Sequence, residues 1–150
     1  MSENIPQDPL TDLLKSWEVD AVIDSGEPGR ELIRIPILHS KYLNILVKYK
    51  MRVKKNNIEY SKMKKLKWMY FNGKMSKEEL DEQGWEQFGY VLKTDLPVHL
   101  EADKDLIAIQ EKKFYNEEIV SACEAILGEL KQRTWQLRDY ISYEKFINGQ

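Results

Sequence analysis

Between residues 41 and 77 the chain carries 12 basic side chains and a single acidic one, Glu59. Arg52 and the lysines interleave there with Tyr42, Tyr49, Tyr60, Trp68, Tyr70 and Phe71. Cations at this density neutralise phosphates and release condensed counterions, and aromatic faces stack unpaired bases at about 1–3 kcal/mol each. The flanks are of opposite sign. Residues 1–40 hold 3 basic and 8 acidic side chains and residues 78–150 hold 8 and 16, so the net charge of −2 conceals a segregated chain. A merely solvated helix face usually mixes signs, so the middle block points to an anionic partner. The acidic flanks are expected to dock basic surfaces of partner proteins or to shield the lysines. The alternative is a non-enzymatic helical adaptor or assembly protein whose basic face binds an acidic protein.

The expected phosphate ligands are Lys54, Lys55, Lys62, Lys64, Lys65, Lys67 and Lys74. Trp68 and Phe71, beside Lys65, Lys67 and Lys74, are the candidates for base stacking. Tyr42, Tyr49 and Tyr60 share an apolar stripe, and packing is expected of them. No zinc finger or basic zipper occurs, so binding is expected to be led by the backbone, without base specificity.

Other chemistry is weakly represented. Asp95, His99, Glu101, Asp103 and Asp105 could suggest a magnesium site, but Glu101 and Asp103 stand where carboxylates cap a helix and oppose its dipole. Glu111-Lys112-Lys113 matches half of a nuclease pattern and lacks a strand partner. No phosphate loop, dinucleotide turn or nucleophile elbow is present. Cys123 is the one cysteine and His39 and His99 the two histidines, too few for a His/Cys metal centre. Cys123 is expected to be a buried, inert thiol. The sequence predicts no enzyme, no metal and no cofactor.

The elements that must carry the basic block follow from length and periodicity. A chain of 150 residues and 17.8 kDa fits one domain, and an aromatic share of 11% argues against disorder. No run reaches the ~20 apolar residues of a membrane span, and the acidic start is unlike a signal peptide, so a cytoplasmic protein is expected. Residues 1–9 read as a flexible tail and 10–150 as a single helical DNA-binding and oligomerisation domain. Leu10, Leu13, Leu14 and Trp17 fit one side of a short helix, with Pro9 in its first turn. Gly26-Glu27-Pro28-Gly29 reads as a turn between short strands at 19–23 and 31–35. From Pro36 to about Tyr70 a long helix is predicted. Tyr42, Ile45, Leu46, Tyr49, Val53, Tyr60, Met63 and Tyr70 lie on one side of it, and Lys54, Lys55, Lys62, Lys64 and Lys65 on the other. Ser76 and Glu79 fit a capping box before a helical turn at 77–81, and 88–92 reads as strand or packed loop. A second long helix is predicted from about Asp103 to Phe146 or Ile147, with a stripe of Tyr115, Ile119, Ala122, Cys123, Ile126, Leu130, Leu137 and Ile141. The fold class is mainly α: two long helices with short helical and extended elements. Stripes this long exceed the core of so small a domain, so burial against other subunits is expected; an antiparallel pair covering both stripes is the alternative.

Several short segments, in this order, resemble UvsY-type phage recombination mediators. They are Leu38-His39-Ser40-Lys41-Tyr42-Leu43-Asn44, Lys62-Met63-Lys64-Lys65-Leu66-Lys67 leading to Met69-Tyr70-Phe71-Asn72-Gly73, then Glu101-Ala102-Asp103-Lys104-Asp105-Leu106, and the tail from Tyr140 to Gly149. The resemblance spans about residues 18–149. It implies a ring-like homo-oligomer that binds single-stranded DNA, helps displace the single-strand-binding protein and loads a RecA-like recombinase in recombination, repair and replication. It places the family's basic pair at Lys65 and Lys67, with lysine where the family has arginine, which keeps charge but not bidentate geometry. The resemblance also puts the assembly surface on the C-terminal helix, at Ile119, Cys123, Ile126, Leu130, Leu137 and Ile141. No membrane partner is implied, and host cytoplasm is the expected location if the protein is phage-encoded.

Overall fold

The computed structural model describes residues 8–149, all of whose regular elements are helices. They are α1 (Pro9–Asp20), α2 (Pro28–Phe71), α3 (Lys77–Gln83), α4 (Leu96–Glu101) and α5 (Lys104–Ile147). The described part of the 1–9 segment already enters structure: Asp8 caps α1, its carboxylate accepting from the Leu10 amide, and Pro9 fills the first turn. Both long helices run 44 residues, about 66 Å each at ~1.5 Å per residue.

The strands expected at 19–23 and 31–35 do not form. Val19 and Asp20 finish α1, and residues 31–35 belong to α2, which begins eight residues before Pro36. Pro28 supplies the first-turn proline. Pro36 is accommodated inside the helix at the loss of one backbone hydrogen bond. Glu31 and Leu38 are buried on the same side as Tyr42, so the helical stripe extends back through the proline. Residues 85–92 contain no strand.

The described residues form two compact units, 8–50 with 117–149 and 51–116. In the first, Leu13, Leu38, Tyr42, Leu46, Tyr49, Ile119, Cys123, Ile126 and Leu130 make the core, and the Trp17 ring packs edge-on against Tyr42. Leu14, expected inside, is half exposed. In the second, Phe71, Leu80, Leu106 and Ile109 are buried, and the Phe71 ring lies among those of Tyr70, Phe88 and His99, with Trp85 against Tyr70. The α2 terminus is closed by Gly73 at φ 64°, where an added Cβ would lie 2.5 Å from the Gly89 carbonyl oxygen. That close approach lets the Val91 amide reach the Phe71 carbonyl at 2.9 Å. Ser76 caps α3 through the Glu79 amide, and Asp103 caps α5 through the amides of Asp105 and Leu106.

A polar clamp fixes α1 in the first unit. The Asp20 carboxylate accepts from Lys41 Nζ at 2.6 Å, Tyr42 Oη at 2.8 Å and Arg34 at 3.2 Å. Arg133, from α5, donates to the terminal carbonyls of Asp20 and Ala21 at 3.1 and 2.9 Å, satisfying acceptors that a helix end leaves open. Burial alone would raise the Asp20 pKa, but the hydrogen bonds from Lys41 and Tyr42 and the charges of Lys41 and Arg34 hold it below its ordinary value. Burial, with the neighbouring Asp20, pushes the Tyr42 phenol up to about 12.

A depressed carboxylate stabilises the fold above its ordinary pKa of 3.8 and loses that contribution as pH falls through the folded value. A raised phenol contributes fully below 10.0 and loses it as pH climbs toward about 12. Asp20→Ala should therefore lower unfolding stability by about 3 kcal/mol at neutral pH and flatten the acid limb. Tyr42→Phe should flatten the alkaline limb; urea unfolding across pH reads both.

Candidate nucleic-acid interface

The basic block lies on α2 and the turn after it. Lys54, Lys55, Lys62 and Lys65 are exposed on the side of the helix turned away from buried Asn56 and Lys67. From Lys54 to Lys65 the row spans about 16 Å of helix at ~1.5 Å per residue. Among the described residues none of these four lysines pairs with a carboxylate. Lys64 is exposed on a neighbouring side, its ammonium 6.0 Å from the Tyr60 ring centre. Trp68 is 41% exposed, and Lys74 reaches back from the turn to hold its ammonium 4.5 Å over the indole.

Two expected ligands leave this surface. Lys67 is 5% exposed and its ammonium lies 3.0 Å from Asp103, 2.7 Å from Asp105 and 4.1 Å over the Trp85 ring. Two carboxylates already satisfy it, so it has no charge to offer a phosphate. Burial alone would lower the Lys67 pKa, but the hydrogen bonds to Asp105 and Asp103 raise it. Phe71, a stacking candidate in the sequence, is buried among Tyr70, Phe88 and His99. Tyr42 and Tyr49 are buried as expected, and Tyr60 is half-buried.

The expected assembly stripe is also taken. Ile119, Cys123, Ile126 and Leu130 are core residues against α1 and α2 of the same chain, and Leu137 is 3% exposed. Ile141 is half-buried. The antiparallel alternative accounts for Ile119, Cys123, Ile126 and Leu130, which pack against Leu38, Tyr42, Leu46 and Tyr49 of α2 in the same core. Burial pushes the Cys123 thiol up, as an inert core cysteine requires.

Sequence reasoning missed the polar groups buried between α2 and α5. Asn116 donates to Asn56 at 2.8 Å, and Lys112 pairs with Glu59 at 3.7 Å beside them. It also missed α4 and, with it, Lys93 near Tyr60. No group of three His, Cys, Asp or Glu side chains among the described residues could hold a metal, and no described helix is long and apolar enough to cross a membrane.

The sequence model for the recombination, repair and ssDNA binding protein UvsY matches residues 16–150. The chain belongs to the UvsY family. Crystal structures of the bacteriophage T4 recombination mediator protein UvsY share its fold. One crystal form (lattice type II) superposes with a TM-score of 0.82 over 95% of this chain and 99% of the other, at 22% identity. A second (lattice type IV) gives 0.80 over 93% and 99%, also at 22% identity. A search of curated protein sequences finds no match to the chain. Among the residues shared with the family resemblance, Lys65 faces solvent and Lys67 does not.

Replacing Lys67 with Met would leave the Asp103 carboxylate buried without its cation. A loss of about 3–5 kcal/mol in unfolding stability is expected, against less than about 0.5 kcal/mol for Lys65→Met. Chemical denaturation of the two variants at neutral pH checks the difference. In the parent protein the Lys67 contribution is complete below its ordinary pKa of 10.5 and is lost as pH rises through the higher folded value.

Proposed function

We propose that this UvsY family member binds single-stranded DNA as a ring-like homo-oligomer and acts as a recombination mediator, helping to load a RecA-like recombinase onto DNA covered by single-strand-binding protein. The observation that carries the proposal is the row Lys54, Lys55, Lys62 and Lys65, cationic, exposed and free of carboxylate partners. Lys64, Lys74 and Trp68 extend it. A backbone-led grip of this kind is sequence-tolerant, as a mediator acting on any strand requires.

A row of so few cations binds weakly, and repetition around an assembly turns weak sites into strong avidity. With the α5 stripe used inside the subunit, contact between copies must use other apolar surface. In the first unit α2 exposes Ile33 (73%), Ile37 (66%) and Val47 (53%), and α5 exposes Trp135 (60%). Between the helices lies a groove of about 780 Å³ walled by Pro36, Leu43, Leu127 and Trp135. Gly128 lines the same groove, and a Cβ there would meet nothing within 4 Å. Exposed apolar surface on this scale is rare on a monomer and marks an interaction site. A second copy is its proposed occupant.

Salt titration of oligonucleotide binding tests the DNA reading. Four to six phosphates per engaged subunit predict a log–log slope of roughly −3 to −4, and Lys65→Ala should reduce its magnitude by about 0.7 per subunit. Absence of binding at low salt would remove the proposal in favour of an adaptor that meets an acidic protein. Solution mass tests the assembly: Leu43→Glu should shift the protein toward the 17.8 kDa monomer, and an unchanged oligomer would place the contact elsewhere.

A further inference from the structure

In the second unit Tyr60, Lys64 and Trp68 follow one another at four-residue intervals along one side of α2. Each ring has its own ammonium: Lys64 lies 6.0 Å from the Tyr60 centre and Lys74 lies 4.5 Å from that of Trp68. The two rings are thus separated by about 12 Å along the helix at ~1.5 Å per residue. Trp68 stands open on the surface, whereas Tyr60 is set at a cavity of about 280 Å³.

That cavity is closed by α4 and the segment before it. Leu96 and Leu100 wall it, Lys93 joins Lys64 among the residues that line it, and Glu101 is the acidic member of the lining. An aromatic ring with aliphatic walls accepts the flat face of a heterocycle. Two lysines beside it suit the phosphates on either side of that heterocycle. Glu101 repels a phosphate from the interior but can accept from an exocyclic amino group, so the base and not the backbone is the group that enters.

We propose that the Tyr60 cavity is a nucleobase subsite, in which one base of a bound single strand stacks on Tyr60 while Lys64 and Lys93 hold its flanking phosphates. The inference rests on the single-stranded DNA reading and extends the contact surface to Tyr60 and Lys93, beyond the lysine row. It makes the interface a repeat of ring and cation, with Trp68 and Lys74 as its exposed second element. Stacking of this kind adds affinity without choosing a sequence.

The test compares a plain oligodeoxynucleotide with one of the same length carrying abasic sites, both at low salt, using the full-length protein. The parent protein should bind the plain strand about tenfold more tightly, and Tyr60→Leu should abolish most of that preference while binding the abasic strand as before. Lys93→Ala, a change at an exposed lysine, should lower the magnitude of the salt slope by about 0.7. Photocrosslinking of a halogenated-pyrimidine strand to the unaltered protein should label the peptide containing Tyr60. Equal affinity for both strands, an undiminished preference in Tyr60→Leu, or crosslinks confined to Trp68 would overturn the subsite and leave backbone binding standing. Failure of both strands to bind would instead remove the DNA reading itself.

Discussion

Buried polar groups between two long helices must find partners, and this constraint governs the rest of the molecule. Apolar contacts between α2 and α5 would tolerate sliding by a turn, because leucine and isoleucine layers look alike to one another. The Asn56–Asn116 hydrogen bond and the Lys67–Asp103 ion pair would not. Shifting either helix by one turn would leave an amide or an ammonium buried without a partner, at a cost of several kcal/mol. Arg133 performs the same task at α1, whose last carbonyls it holds. Asp103 ties two levels together, since one carboxylate oxygen caps α5 and the other meets Lys67.

Most of the long helices was legible in the sequence because their apolar stripes are long and carry a clear 3.6-residue period. The C-terminal ends were legible too, from Asn72-Gly73 and Asn148-Gly149. What the pattern concealed were the polar members of the same stripes. On α2, Asn56 falls between Val53 and Tyr60, and Lys67 falls between Met63 and Tyr70, each at the three-and-four spacing of the buried face. On α5, Arg133 falls between Leu130 and Leu137 in the same way. Asn116, three residues before Ile119, is buried, whereas Tyr115, which was expected on that stripe, is 37% exposed. A reading that assigns burial by residue type skips all four, although the spacing singles them out. Pro36 concealed the start of α2 for a different reason: a proline usually ends or begins a helix, and here the buried stripe continues through it from Glu31 to Leu38 and Tyr42.

The same geometry explains why a run of lysines is not one site. Lys65 and Lys67 stand about 200° apart around a helix that turns ~100° per residue. Sequence neighbours therefore face opposite ways, one toward solvent and one toward Asp103 and Trp85. Lys64 likewise points away from the side that Lys62 and Lys65 share, although all three come from little more than one turn. The charge count in residues 41–77 overstated the exposed cationic surface, since part of that charge is spent on the buried Lys67–Asp103–Asp105 cluster.

Division of labour among these lysines also bears on what a mediator must do. A strand held by a few bidentate, deeply buried contacts would be bound tightly and released slowly. Exposed ammonium groups on flexible stems behave as point charges, each contributing little and each exchangeable with counterions. In the proposed assembly affinity would reside in the number of subunits engaged at one time, and a strand would be surrendered one subunit at a time as another protein took over its phosphates. Under that proposal the anchoring of Lys67 and the clamp around Asp20 each hold the helices of their own unit while the exposed lysines let go. Stability and release would then fall to different cations of one helix.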